Sequence, residues 1–168
     1  ILTGSRLNQL STREGTRSLM ARRRQAREAA LQLLYQRDLN PDTSQYVAKE
    51  SLDELLAKQE LREFAWQLYV GTLERQAEID EKILTVAENW SLSRMAPTDR
   101  NVIRMGYYEV TSVGTPVPVV LDECIELARN FGNADSSSFV NGLLDKLVPN
   151  GGKPSEAETP EATAKPSA

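Results

Sequence analysis

The stretch VPVVLDECIELARNFGNADSSSFVNGLLDKL, residues 117–147, reads as two helices joined by a short polar turn. In its first half Leu121, Cys124, Ile125, Ala128 and Phe131 recur at the three- and four-residue spacing that lines one face of a helix. Pro118 suits the first helical position, where a missing N–H is no loss, and Gly132 suits the position past the last turn. Asn133-Ala134-Asp135-Ser136 then opens a second helix that buries Val140, Leu143, Leu144 and Leu147 before Pro149. Gly142 inside that helix costs about 1 kcal/mol relative to alanine, so a close helix approach is expected there. Two helices in tandem with no alternating strand pattern point to an all-α fold.

The same period runs outward to the rest of the chain. A helix is expected from Arg22 to Leu39, with Ala26, Ala30, Leu33 and Leu34 on one face and Asn40-Pro41 as its stop. A short, weak helix follows near Ser44 to Ala57. Leu61, Ala65, Leu68, Thr72, Ile79, Ile83, Val86 and Trp90 trace one apolar stripe, with Gly71 as the expected bend. Thr98-Asp99 is an expected N-cap pair for a helix carrying Val102, Ile103, Gly106 and Val110. Residues 1–21 show no period and are expected to form a disordered extension; Met20 reads as the natural initiator and residues 1–19 as upstream translation or a nonessential extension. Residues 149–168, with four prolines counting Pro149 and with Glu156, Glu158 and Glu161, are expected to be disordered. The folded unit is then 22–148.

Composition excludes several function classes. A chain of 168 residues, 40% hydrophobic, can bury one core or two small subdomains that share an interface. It offers neither a run of about 20 apolar residues nor a signal-peptide pattern, so no membrane partner is expected and the cytoplasm is the expected compartment. With no histidine and the single cysteine Cys124, a disulfide framework, a cysteine-based zinc site and a histidine general base all fall away. No glycine-rich phosphate loop or nucleophile elbow is present. Catalysis, metal and cofactor are therefore not expected. Asp122, Glu123 and Glu126 read as a solvated acidic face that can also meet a basic protein.

Charge is distributed unevenly. Residues 1–37 hold eight arginines against two acidic residues, a net of +6, whereas the whole chain is −4 and the remainder therefore −10. Arg22, Arg23, Arg24 and Arg27 concentrate this charge where a helix is expected to start, next to N–H groups that are themselves partly positive. An anionic partner such as nucleic-acid phosphate is the expected counterpart. Tyr35 and Phe139 suit either core packing or base stacking, and Asp135 either a helix cap or an acceptor for a base edge.

RRRQAREAALQLLYQRDL at 22–39, DRNVIRMGYYEV at 99–110 and the 117–147 stretch together resemble the NusB family (N-utilisation substance B) of bacterial antitermination factors, most specifically in ELARNFGNADSSSFVNGLLDKL. The resemblance implies a two-lobed helical bundle of about six to seven helices. It implies an RNA-binding adaptor, not an enzyme, that pairs with NusE, the small-subunit ribosomal protein ten. The pair binds single-stranded boxA RNA, chiefly in ribosomal RNA transcripts, and joins an RNA polymerase antitermination complex. By the same resemblance Arg22, Arg23, Arg24, Arg27, Tyr35, Asp135 and Phe139 fall on the RNA surface and Asp99 on the partner surface. Alternative expectations are a helical protein-interaction module, or an RNA-binding domain related to that of ribosomal RNA cytosine methyltransferases.

Overall fold

Local signals set most of the helix ends. Ser44, in extended conformation, accepts a hydrogen bond from the Val47 N–H at 3.3 Å and starts α2 (Gln45–Leu55). Pro97 starts α5 (Pro97–Tyr108), and Pro116-Val117-Pro118 leads into α6 (Val117–Phe131). The remaining helices are α1 (Ser5–Leu39), α3 (Gln59–Glu74), α4 (Gln76–Val86) and α7 (Ser136–Leu147). This computed structural model describes residues 5–149, and those residues form helices and connections with no strand. α5 runs on into one wider π-helical turn, Glu109–Val113, which Gly114 closes at a φ of 81°.

The helices make two lobes on one continuous core. α1, α2 and α3 pack together in the first lobe, α4, α6 and α7 belong to the second, and α5 touches helices of both. Leu34, Leu68, Ile79, Ile83, Ile103, Met105, Leu127 and Leu144 are fully buried at the centre. A charged seam fastens the lobes. Asp38 of α1 accepts from Arg100 Nε at 3.0 Å and Asn101 Nδ2 at 3.1 Å, and Arg104 donates to both Asp80 oxygens at 2.7 and 2.9 Å.

Several expectations change at this level. α1 reaches back to Ser5, so residues 5–21, expected to be disordered, are helical. Residues 12–22 are exposed, so this arm rests on helical propensity and not on the core. The expected tail at 150–168 lies outside the described residues. α5 is capped by Ala96 with Pro97 first in the helix, and Asp99 sits in the first turn, so Thr98-Asp99 is not the cap. α3 passes straight through Gly71 and ends at Glu74; Gly71 is there because its missing Cβ leaves room for the Tyr108 ring. Gly132 is extended, at φ −92° and ψ −165°, and a Cβ there would collide with Ser136 and the Ala128 carbonyl.

Gly142 has nothing within 4 Å of the place a Cβ would occupy, so no close helix approach explains it. Gly142→Ala is accordingly expected to stabilise the protein by up to about 1 kcal/mol, measurable as a raised urea midpoint. Cys124, fully inside between α5 and α6, is packing, and burial pushes its thiol well above the ordinary range.

Candidate nucleic-acid interface

The arginine cluster divides into two kinds of residue. Because α1 begins at Ser5, the cluster lies in mid-helix, away from the helix-terminal N–H groups. Successive arginines there point in different directions. Arg27 points inward: its side chain is 3% exposed and donates to both Glu109 oxygens at 2.9 and 2.6 Å, with Glu123 at 3.6 Å. Burial opposes its charge, but the hydrogen bonds and attraction of Glu109 and the nearby Glu123 outweigh that, and the guanidinium is held above its ordinary range. Arg27 is therefore corrected from RNA contact to core ion pair.

Arg24 is in part committed in the same way. It donates to both oxygens of Glu123 at 3.0 and 2.8 Å, and this hydrogen bond raises its pKa. Its place in the fold is to hold α1 against α6, and it does not offer a free cation to phosphate. Glu123 is 8% exposed, so the expected solvated acidic face holds only for Asp122, while Glu126 pairs with Arg129 on the surface. Arg22 and Arg23 remain exposed and carry no ion pair among the described residues. The Arg23 guanidinium lies over the Phe64 ring at 4.9 Å, and the same ring has Arg27 at 5.4 Å.

Below these arginines α1 forms one wall of an open groove of about 650 Å³. Gln25, Glu28, Gln32 and Tyr35 line it from α1, Leu55 closes it from α2, and Phe131 from the end of α6. Tyr35 is 39% exposed and Phe131 52%, so both present ring surface to solvent. The spacing places Phe131 on the core face of its helix, but at the last turn of α6 about half of it stays uncovered by the described residues.

Asp135 is exposed just before α7, and its side chain makes no cap hydrogen bond; the turn is instead held by Asn133 Oδ1, which accepts from the Asp135 N–H at 2.9 Å, and by Ser136 Oγ, which accepts from the Asn133 N–H at 2.9 Å. Phe139, half-buried, packs on Trp90 with ring centroids 5.6 Å apart. Asp99 is 5% exposed and one of its oxygens has no hydrogen-bond partner among the described residues. It is therefore corrected from partner contact to a buried first-turn carboxylate, favoured there by the helix dipole. The other two kinds of group, free arginines and exposed aromatics, together suit single-stranded RNA: phosphates for one, base faces for the other.

Comparison with known proteins sharpens this. Residues 24–149 match the family model described as the NusB family. The chain belongs to the NusB family. Among curated relatives, the transcription antitermination protein NusB of Solibacter usitatus is 41% identical over 149 residues, covering 88% of this chain and 97% of that protein. The NusB of Elusimicrobium minutum is 44% identical over 136 residues, 76% of this chain and 94% of the relative. In structure, T. maritima NusB superposes with a TM-score of 0.67 at 34% identity, over 74% of this chain and 89% of that one. A chain from a crystal structure of antitermination factors NusB and NusE in complex with dsRNA superposes with a TM-score of 0.69 at 25% identity, over 76% of this chain and 96% of that chain. The NusB-family fold thus accounts for both lobes, and the match begins at Arg24, inside the arginine cluster.

Proposed function

We propose that this NusB-family chain is a transcription antitermination factor: an RNA-binding adaptor, without catalytic chemistry of its own, that acts in the cytoplasm. It binds RNA jointly with NusE, the small-subunit ribosomal protein ten, and the RNA it selects is single-stranded boxA in ribosomal RNA transcripts. The assembly then joins RNA polymerase. The likeness to a NusB solved with NusE and RNA supports the partners. The observation in this chain that carries the reading is the pair Arg22 and Arg23, exposed and without an ion pair among the described residues, on the helix that also presents Tyr35 to the groove. Arg22, Arg23, Tyr35, Asp135 and Phe139 are the residues assigned to RNA.

Replacing Arg22 and Arg23 together by glutamine tests this assignment. Both side chains are exposed, so the melting temperature is expected to stay within about a degree or two of the parent. RNA affinity is expected to fall, and the slope of log K against log salt to flatten by about 0.7 for each lost single-strand phosphate contact, about 1.4 for two. Arg24 and Arg27 are left in place because they are engaged in ion pairs with Glu123 and Glu109. Unchanged affinity with an unchanged salt slope would show that these arginines do not meet phosphate.

A further inference from the structure

The connection between α4 and α5 exposes a tryptophan that the apolar period assigns to the core. α4 ends at Val86, and Asn89 then turns the chain with a φ of 63°. Trp90 therefore leaves the line of Ile79 and Ile83 and stays 50% exposed, whereas those two are fully buried. One face of its ring is tilted 55° against Phe139 at 5.6 Å between centroids. Beside it Arg94 is exposed and without an ion pair among the described residues, and Asn89, Trp90 and Arg94 together line an open depression.

Two observations decide what such a surface receives. An accessible indole next to an unpaired guanidinium matches one nucleotide: the ring takes a base face and the cation takes the adjoining phosphate. The platform is also linked to the groove described above through the chain. Phe131 shares that groove with Tyr35, the turn at residues 132–135 leads from Phe131 into α7, and Phe139 on the first turn of α7 packs on Trp90. Tyr35 and Phe131 thus share one site and Phe139 and Trp90 another, and the turn at residues 132–135 joins the helices that carry them.

We propose that Trp90, backed by Phe139, is a stacking platform for an unpaired base of single-stranded RNA, with Arg94 holding the neighbouring phosphate. This inference rests on the RNA-binding reading above and extends its track beyond the residues assigned there.

The full chain with Trp66→Phe keeps Trp90 as its one tryptophan, since there are two in all. Titration with an unstructured single-stranded RNA is expected to quench Trp90 fluorescence, and the same RNA as a duplex to quench it much less. Trp90→Ala is expected to weaken single-strand binding about 5- to 150-fold, the range of one lost base stack, with Trp90→Phe recovering most of it. Arg94→Gln should flatten the salt slope by about 0.7. Melting of each variant by circular dichroism identifies any loss that is merely unfolding, and in that event the fluorescence and the folded Trp90→Phe and Arg94→Gln proteins decide the matter. If RNA binding responds to Arg22 and Arg23 but not to Trp90 or Arg94, and Trp90 is not quenched, the platform is overturned while the RNA-binding reading stands. If Trp90→Ala binds RNA normally and instead loses NusE, the surface is a protein-docking site and the proposal is overturned. If the parent protein binds no RNA, alone or with NusE, the RNA-binding reading fails and the platform with it.

Discussion

Arg27→Met is expected to lower the unfolding free energy by about 3–5 kcal/mol, because it leaves Glu109 buried without its partner. Glu109 is 1% exposed and both its oxygens accept from Arg27, at 2.9 and 2.6 Å. Glu123 retains Arg24 in the variant, so the uncompensated charge falls on Glu109 alone. Adding Glu109→Leu removes that charge, and the double variant is expected to recover most of the loss, since an apolar pair of similar volume often equals or betters a buried ion pair. Urea denaturation of the parent, both single variants and the double variant measures the coupling. A loss below about 1 kcal/mol in Arg27→Met would mean that Arg27 is not the internal partner of Glu109 and is available to a ligand.

Gly71→Ala is the second large effect. A Cβ on Gly71 would lie 2.0 Å from Tyr108 Cζ, 2.1 Å from its hydroxyl oxygen and 2.5 Å from Cε2. Tyr108 is itself buried between α3 and α5, so the ring cannot swing away without opening the contact between the lobes. A loss of about 1–3 kcal/mol or more is expected, the usual cost of forcing extra volume into a packed core. Combined with Tyr108→Leu, the two changes should cost less than the sum of their separate effects, because the smaller side chain vacates the space the new methyl needs. Strict additivity in thermal melts would contradict the contact.

Helix positions were readable where apolar spacing, prolines and caps agree. α2 and α6 fall within one or two residues of their expected ends, and α1 ends at Leu39 as expected. What escaped was whatever depends on contact between distant segments. Arg27 meets Glu109 across 82 residues and Arg24 meets Glu123 across 99, so four charges that look solvated or ligand-directed in one dimension neutralise one another in three. Gly71 looked like a bend because nothing local shows that Tyr108 of another helix will occupy its missing side chain.

The site was half legible for the same reason. A run of arginines marks a basic helix but does not say which members are covered; the 100° step of a helix places Arg27 on the side of the buried Ala30 and Leu31 and turns Arg22 away, while Arg23, on nearly the same side as Arg27 and over the same Phe64 ring, stays exposed because it lies one turn before the buried part of α1. Trp90 misled in the opposite sense. It continues the core period of α4 by spacing, yet the helix ends four residues earlier, at Val86, and the period loses its meaning there. Asn89, a residue type that tolerates the left-handed region, was the available sign of that break.

Under the proposed function, this chain binds single-stranded boxA RNA as one half of a pair with NusE. Arg22, Arg23 and Arg94 neutralise few phosphates, so the chain alone is expected to bind weakly, and the partner to add the missing surface. The direct measurement is a titration of labelled boxA single strand, a scrambled strand and duplex RNA at one fixed salt concentration, with and without NusE. The account predicts weak binding alone and a marked tightening by NusE that favours boxA over both controls. Equal affinity for all three RNAs in both conditions would contradict it and reduce the arginines to a nonspecific patch.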